Sequence, residues 1–313
     1  MSLEKTFAEI DSVTQSYKTH FAFTDYIRDK LFEHAGRDAN RHNNALEPDS
    51  DFCTLQRVND ACNYAVNNFD GTLTHQFIRD VAYRVDPNNQ WYSDGWRHDQ
   101  RHSVNITARM EELLYRVNGE GDFADMHKLR RIGDFHYGML EVHPFYDGNG
   151  RTTRILSNVL MEYHGYAPFL VRSEDRSTYI GLLENCTRQL GARGDLRNMF
   201  DTFCYAQENF QTFLAANALK QANDMHNQLD GVRRYSINVQ YEGTPRRLCS
   251  VSKYFRHSLD NHDELRDVNV NLEAGNIEII SKCSPELVKI LMGHFKRKNK
   301  WMKKFKVRDT TQQ

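Results

Sequence analysis

Apolar residues in the first two thirds of the chain recur at helical spacing. Phe7, Ile10, Val13 and Tyr17 predict one helix, and Tyr26, Ile27, Leu31 and Phe32 predict a second that closes near Gly36. Residues 54–68 predict a third, and further helices are expected from Met110 to Val117 and from Met126 to Val142. Ile155, Leu156, Val159, Leu160 and Tyr163 carry the same period to a stop at Gly165. A long helix is expected from about Leu196 to Leu229. The polar stretch from Val85 to Asn105 holds Asp-Pro, Asn-Asn and Asp-Gly pairs and reads as a loop or short hairpin.

The period changes near Arg234. Tyr235, Ile237, Val239 and Tyr241 alternate with polar residues, as in a half-buried strand. Val268, Val270 and Leu272, then Gly275-Asn276, then Ile277 and Ile279 predict a hairpin. Ser284-Pro285 is an N-cap and first-turn pair for a last helix. Leu287, Ile290, Leu291, His294, Trp301, Met302 and Phe305 extend that helix as an apolar stripe. The fold class is therefore mainly α, with a small α+β appendage beginning at about 230–235. No repeat or low-complexity stretch interrupts it.

A chain of 313 residues can bury a full core, and its formal net charge of −1 makes no global demand for a polyanion. Residues 295–308 differ, carrying eight Lys or Arg and no acid. Removing those eight charges from a net of −1 leaves the remainder at −9. Such a basic helix can meet nucleic acid or a membrane, but docking of its stripe on its own domain is the favoured reading. Cys53, Cys62, Cys186, Cys204, Cys249 and Cys283 form no C-x-x-C pair, which fits reduced thiols. No signal-length or membrane-length apolar run is present, so a cytoplasmic protein is expected. Delivery into a host cell by a specialised secretion route leaves no sequence mark.

The chemistry is concentrated in His143-Pro144-Phe145-Tyr146-Asp147-Gly148-Asn149-Gly150-Arg151-Thr152-Thr153-Arg154. Pro144 ends the preceding helix, and Gly148 and Gly150 allow a sharp turn into a new helix starting at about Asn149 to Arg151. A glycine-rich turn at a helix N-terminus presents unpaired N–H groups and the positive end of the dipole to phosphate. Arg151 and Arg154, three residues apart, project from one face and can grip phosphate oxygens. Asp147 supplies a hard oxygen for Mg²⁺ held mainly by substrate phosphates. His143 can take a proton from an attacking hydroxyl near neutral pH. Phe145 reads as a core plug that fixes the loop.

These twelve residues resemble the Fic (fido) signature H-P-F-x-[D/E]-G-N-G-R-x-x-R at every specified position. Weaker likeness covers roughly residues 40–190. Cys62-Asn63-Tyr64-Ala65 is similar to the N-Y-x-x-A helix before the core, and Gly95-Trp96-Arg97 falls where the target-docking flap hairpin is expected. Ser173 to Leu183 is similar to the helix after the catalytic one. The resemblance implies a helical Fic core and transfer of AMP from ATP, with Mg²⁺, onto a Ser, Thr or Tyr hydroxyl of a target protein. It implies His143 as general base and Asp147 as the residue holding Mg²⁺ against the α- and β-phosphates. Gly148, Asn149 and Gly150 would form the anion hole, Arg151 would hold the β/γ region, and Arg154 the γ-phosphate. Tyr179 is placed near adenine by position alone.

Many Fic proteins also carry an inhibitory [S/T]-x-x-x-E-[G/N] helix whose Glu pairs with the second signature Arg. Asn43-Asn44-Ala45-Leu46-Glu47-Pro48 is similar but departs at both ends, with Asn43 and Pro48. Asn can cap a helix, whereas Pro48 disfavours helix at Glu47. Autoinhibition through Glu47, together with auto-modification, is the expectation. The domains follow as 1–60 with the inhibitory segment 43–48, a catalytic domain 61–232, and an α+β domain 233–313 with a basic C-terminal helix. UMP, phosphocholine or phosphate transfer remain alternatives, although phosphate-transferring relatives have lost the G-N-G-R ending that this chain keeps. A nucleotide-sensing regulatory protein is an alternative of another class, against which the intact His143 argues. The target's identity is not legible, and neither is a homodimer.

Overall fold

Two apolar clusters divide the chain, in this computed structural model, into two units. One comprises Met1–Thr14 and Phe32–Asn223, the other Gln15–Leu31 and Asp224–Gln313. The residues described are 2–20, 23–47, 52–92, 96–97, 106–192, 208–242, 244, 247–259, 266–271 and 276–311. Pro48, Gly95, the remainder of the expected flap at 98–105, residues 196–207 of the long helix and Leu272 to Gly275 of the hairpin lie outside them.

Helices α1 (Leu3–Thr19) and α2 (Asp25–Ala45) open the chain, each contributing to both units. Gly36 does not stop α2. Beyond it the buried positions are Ala39, Asn40, Asn43 and Asn44, so the inward face becomes polar and the apolar period disappears while the helix continues. Those asparagines are accommodated because side chains meet them, as where Asn40 Nδ2 donates to Asn59 Oδ1 at 3.1 Å.

The first unit is built around α6 (Lys128–Val142) and α7 (Asn149–Tyr163), preceded by α3 (Phe52–Asn68), α4 (His75–Val85) and α5 (Ile106–Val117). α4 stands where no element was expected. Thr74 caps it by accepting from Phe77 N at 3.1 Å, and Ile78, Val81, Ala82 and Val85 form its buried stripe. α7 packs against α3, α4 and α6, while α5 lies against α6. Ile155, Leu156, Val159 and Leu160 of α7 and Phe135, Tyr137, Met139 and Val142 of α6 fill the space between. Each fully buried side chain of this size contributes about 1.5–3 kcal/mol of transfer free energy. Both helices are buried on most of their faces, so the turn joining them is held from below as well as from its ends. α8 (Arg176–Ala192) and α9 (Glu208–Leu229) follow.

The second unit runs β1 (Arg233–Tyr241), α10 (Leu248–Leu259), β2 (Arg266–Asn271), β3 (Asn276–Ser281), α11 (Pro285–Lys298) and β4 (Met302–Asp309). The antiparallel sheet has the order β2-β3-β1-β4, a βαββαβ arrangement of the ferredoxin-like kind. Tyr235, Ile237, Val239, Val268, Ile277 and Ile279 pack against Val251, Phe255, Val288, Met292 and Phe295 of the two helices. From the N-terminal segment of this unit, Thr24 Oγ1 donates to Asp267 Oδ2 at 2.9 Å.

The single basic helix expected to continue through Phe305 is two elements. α11 ends at Lys298 with Asn299 as its C-cap, and Met302–Asp309 is a strand. Phe305 and Val307 alternate with lysines at a period of two as well as fitting a helical stripe. Pairing with β1 settles the ambiguity, because it satisfies the backbone of both strands and turns Phe305 and Val307 to the core.

Candidate functional site

His143 ends α6 in the left-handed region, with φ of 53°, the single non-glycine residue with positive φ among the described residues. Its N–H still closes the helix on Met139 O at 3.0 Å. The chain then reverses through Pro144, whose carbonyl accepts the Arg97 N–H at 3.0 Å. Phe145 is fully buried, as the sequence suggests, edge-on to Trp96 with ring centroids 5.8 Å apart. Trp96 is itself buried, with the Arg79 guanidinium 5.5 Å from its ring centre. The base-bearing corner is thereby fixed to the segment at 96–97.

The glycine-rich turn is closed by one side chain. Asn149 Oδ1 accepts from Phe145 N at 2.9 Å, and Asn149 Nδ2 donates to Phe145 O at 2.8 Å. Gly148 adopts φ of 75°, and a Cβ there would lie 2.9 Å from Val85 Cγ1, so glycine is required twice over. Asn89, which composition hides inside an ordinary turn, donates from Nδ2 to Ala82 O at 3.2 Å and to Asp147 O at 3.3 Å. It ties the turn to the end of α4.

Asp147 faces solvent, its side chain 73% exposed, with Oδ1 accepting from Gly148 N at 2.6 Å and Oδ2 lying 3.2 Å from Arg151 Nη2. Among the described residues no group of three His, Cys, Asp or Glu converges on a metal position. One exposed carboxylate beside a helix N-terminus fits a hard cation whose remaining ligands are phosphate oxygens and water. The first N–H groups of α7, at Asn149, Gly150 and Arg151, have no carbonyl within the helix to bond.

Arg154 is 6% exposed and is held by the end of α2 and the turn after it. Its Nε donates to Asn43 Oδ1 and its Nη2 to Glu47 Oε1, both at 2.5 Å, and Nη2 lies 3.4 Å from Asn43 O. Asn43 Nδ2 donates in turn to Arg151 O at 3.3 Å. A Cβ on Gly150 would come within 2.9 Å of both Glu47 Oε1 and Arg154 Nη1, so this glycine makes room for the pair. The end of α2 is tied down by Arg176 Nε to Leu46 O at 2.6 Å and by Ser173 N to His42 Nδ1 at 3.2 Å. Sequence brought forward Asn43 as a cap, and the fold uses it as a second hand on Arg154.

Tyr179 does not stand at the surface of the turn. Its ring is buried beneath Arg154, and its hydroxyl lies 2.8 Å from His136 Nε2. His136 Nδ1 meets Ser157 Oγ at 3.0 Å. Burial pushes the Tyr179 hydroxyl pKa up, against the pull of the Arg154 charge and hydrogen bond. Burial first, and then Arg154, hold His136 well below its ordinary 6.5, so it is a neutral member of the core. The side chain expected near adenine is thus buried, with its hydroxyl meeting His136 and Arg154. The signal for His136 was its position seven residues before His143 on the same helix.

His143 is exposed at its edge, but the surrounding atoms partly desolvate its ring. That desolvation first, and the Arg97 charge second, lower its pKa from 6.5, while a hydrogen bond with the Leu140 backbone and the Asp147 charge oppose the shift. The imidazole is therefore unprotonated at neutral pH and able to accept a proton.

The Fic/DOC family model matches residues 52–161. Part of the chain is similar to the protein adenylyltransferase Fic of Culex quinquefasciatus, 38% identical over 92 residues that cover 29% of this chain and 17% of that protein. The corresponding protein of Drosophila ananassae is 38% identical over 126 residues, covering 38% and 24%. That of Drosophila sechellia is 29% identical over 171 residues, covering 52% and 32%. The matched stretches span about a sixth to a third of these relatives' length. Two solved structures share the fold. One is a Fic domain containing signaling protein from Bacteroides thetaiotaomicron, with TM-score 0.52, 19% identity and coverage of 69% of this chain and 98% of that one. The other is Fic-1 from C. elegans, with TM-score 0.55, 16% identity and coverage of 72% of each chain.

Proposed function

We propose, on the premise that this chain carries a Fic/DOC family domain at residues 52–161, that it transfers AMP from ATP to a hydroxyl of a target protein. The observation that carries the reading is the single turn from His143 to Arg154. It sets an unprotonated imidazole at one end, and at the other a helix N-terminus, an exposed carboxylate and two guanidiniums. The amides of Asn149 to Arg151 and the Arg151 and Arg154 side chains suit the charge of a triphosphate. Asp147 would hold Mg²⁺, which supplies neutralisation of phosphate charge.

In the reaction His143 takes the proton of the target hydroxyl as that oxygen bonds to the α-phosphorus. The bond from that phosphorus to the oxygen bridging the α- and β-phosphates breaks, and pyrophosphate leaves with the electron pair. Arg151 and Arg154 stabilise the charge that builds on the departing group, and the helix N-terminus stabilises the non-bridging oxygens. The protein contributes positioning and fixed charge, which such a transfer chiefly needs.

The resting state is read as inhibited. A carboxylate on Arg154 Nη2 occupies the guanidinium that should meet the γ-phosphate, and Asn43 occupies its Nε. Auto-modification is expected once that contact is broken. Incubation with Mg²⁺ and ATP labelled at either the α- or the γ-phosphorus, using wild type, Glu47→Gly and His143→Ala, tests the whole reading. Label from the α position alone, enhanced in Glu47→Gly and lost in His143→Ala, is the expected result. Label from the γ position would make the protein a kinase. Bound nucleotide without label would make it a sensor.

A further inference from the structure

The second unit covers one face of its sheet with α10 and α11 and leaves the other to solvent over its β1 and β4 half. Register fixes which residues stand there. Ser236 faces Arg308, Asn238 faces Lys306 and Gln240 faces Lys304, while the alternate pairs Ile237 with Val307 and Val239 with Phe305 point into the core. Asn238, Gln240, Lys304, Lys306 and Arg308 are all exposed. On β3 the same face continues through Asn276 and Glu278. β4 is the edge strand of the sheet, and Arg297, Lys298 and Lys300 lie exposed where α11 turns into it.

Three features point to one class of partner. Lys304, Lys306 and Arg308 recur every second residue, so they form a line with steps of about 6.8 Å along an exposed strand, and no ion pair among the described residues engages them. Lys303, at the register irregularity opposite Gln240 and Tyr241, is instead paired with Glu242 at 3.1 Å. Beside this line run the Asn238 and Gln240 amides, which both donate and accept hydrogen bonds, as base edges require. Last, among the described residues of the open face no apolar side chain is exposed, Ile280 being 2% exposed, so none of them enters a bilayer. With the eight basic charges of 295–308 set apart, the rest of the chain carries −9, which would repel a polyanion from elsewhere.

We propose that this face binds single-stranded nucleic acid, with the sugar-phosphate backbone along Lys304, Lys306 and Arg308 and the bases over Asn238 and Gln240. The described residues of the face include no aromatic platform, so recognition rests on phosphate charge and amide hydrogen bonds, with weak sequence preference. The proposal is independent of the chemistry at His143. It assigns the protein a means of localising to nucleic acid or to proteins that travel with it.

The test is fluorescence anisotropy of the full chain with a labelled oligo(U) of about a dozen nucleotides, titrated across salt. Three phosphate contacts on a single strand give a slope of about −2 in log K against log salt. Lys304→Gln/Lys306→Gln should weaken binding at least tenfold and flatten the slope toward about −0.7. Lys289→Gln, an exposed change on the helical side, should leave both unchanged. Far-UV circular dichroism of each variant separates lost contacts from lost folding, and Arg308→Gln repeats the test at an independent position. Absence of salt-dependent binding would overturn the proposal, leaving the lysines as guards of the β4 edge against strand pairing. An equal loss in Lys289→Gln would overturn it too, as would tighter binding of duplex or of phosphatidylserine vesicles than of oligo(U).

Discussion

Replacing Glu47 by glycine should raise activity and lower stability at once, and the two signs together distinguish a brake from an ordinary ion pair. The bond removed joins Glu47 Oε1 to Arg154 Nη2 at 2.5 Å, with side-chain exposures of 35% and 7%. A hydrogen bond between charged groups nets about 1.5–3 kcal/mol, and the solvent reaching Glu47 argues for the lower end. About 1.5 kcal/mol corresponds to roughly a tenfold change in an equilibrium. If a nucleotide phosphate must displace this carboxylate to reach Arg154, label incorporated from α-labelled ATP should rise about tenfold or more. Release is incomplete, because Asn43 still accepts from Arg154 Nε. Asn43→Ala added to Glu47→Gly should therefore raise incorporation again.

The stability of the fold responds in the other direction. Arg154 stays buried after the change and loses a partner, which costs on the order of 1–2 kcal/mol. For a unit of this size that lowers Tm by about 2–4 °C per kcal/mol. The assay is paired, with label incorporation and a thermal melt made on the same protein. A lowered Tm with unchanged incorporation would refute the brake, since the pair would then serve only the fold. Raised incorporation with Tm unchanged would refute the energetic accounting and place Glu47 outside the packed structure.

Four further outcomes follow from His143, Asp134 and Tyr179. His143→Asn, which keeps a residue tolerant of the left-handed backbone, should reduce kcat about 10²–10⁴-fold with little change in Tm. Because the His143 pKa is lowered, the acid limb of wild-type kcat/KM should fall below pH 6.5, whereas a limb above 6.5 contradicts the environment described. Asp134 is buried with its pKa raised from 3.8 to about 6, and Gln211 Nε2 donates to it at 2.5 Å. Its charged form penalises the fold above pH 6, a penalty relieved as pH falls through 6 towards 4. Asp134→Asn should therefore add stability at pH 8, at most about 3 kcal/mol, and almost none at pH 4, as urea melts would show. Tyr179→Phe removes the hydroxyl that meets His136 and Arg154. It should raise KM for ATP more than it lowers kcat, and an unchanged KM would limit Tyr179 to the core.

The signature residues were legible because their roles are backbone roles as much as side-chain ones. Pro144 after His143, and Gly148 and Gly150 around Asn149, predict the helix end, the sharp turn and the new helix directly. What escaped was whatever depended on polar residues being buried. Beyond Gly36 the inward positions of α2 are Ala39 and three asparagines, so periodicity announced a stop where the helix continues to Ala45, bringing Asn43 to Arg154 and setting Glu47 in the turn just after its end. Asn89 was hidden in the same way, as turn composition. The burial of Tyr179 escaped because position along a helix does not reveal which of its faces is buried.

The basic C-terminus shows a different failure. Phe305 and Val307 satisfy a period of two, and Trp301, Met302 and Phe305 satisfy helical spacing, so hydrophobicity alone leaves the segment undecided. The choice is made by a partner about seventy residues earlier, since β1 without β4 would carry an open row of N–H and C=O groups beside a buried apolar face. The same pairing decides what the lysines do. On a helix they would spread over several faces, whereas on a strand next to β1 they fall into one line beside a row of amides. The chemistry available to this segment is thus a consequence of a long-range contact, and it lies beyond any local reading of residues 295–308.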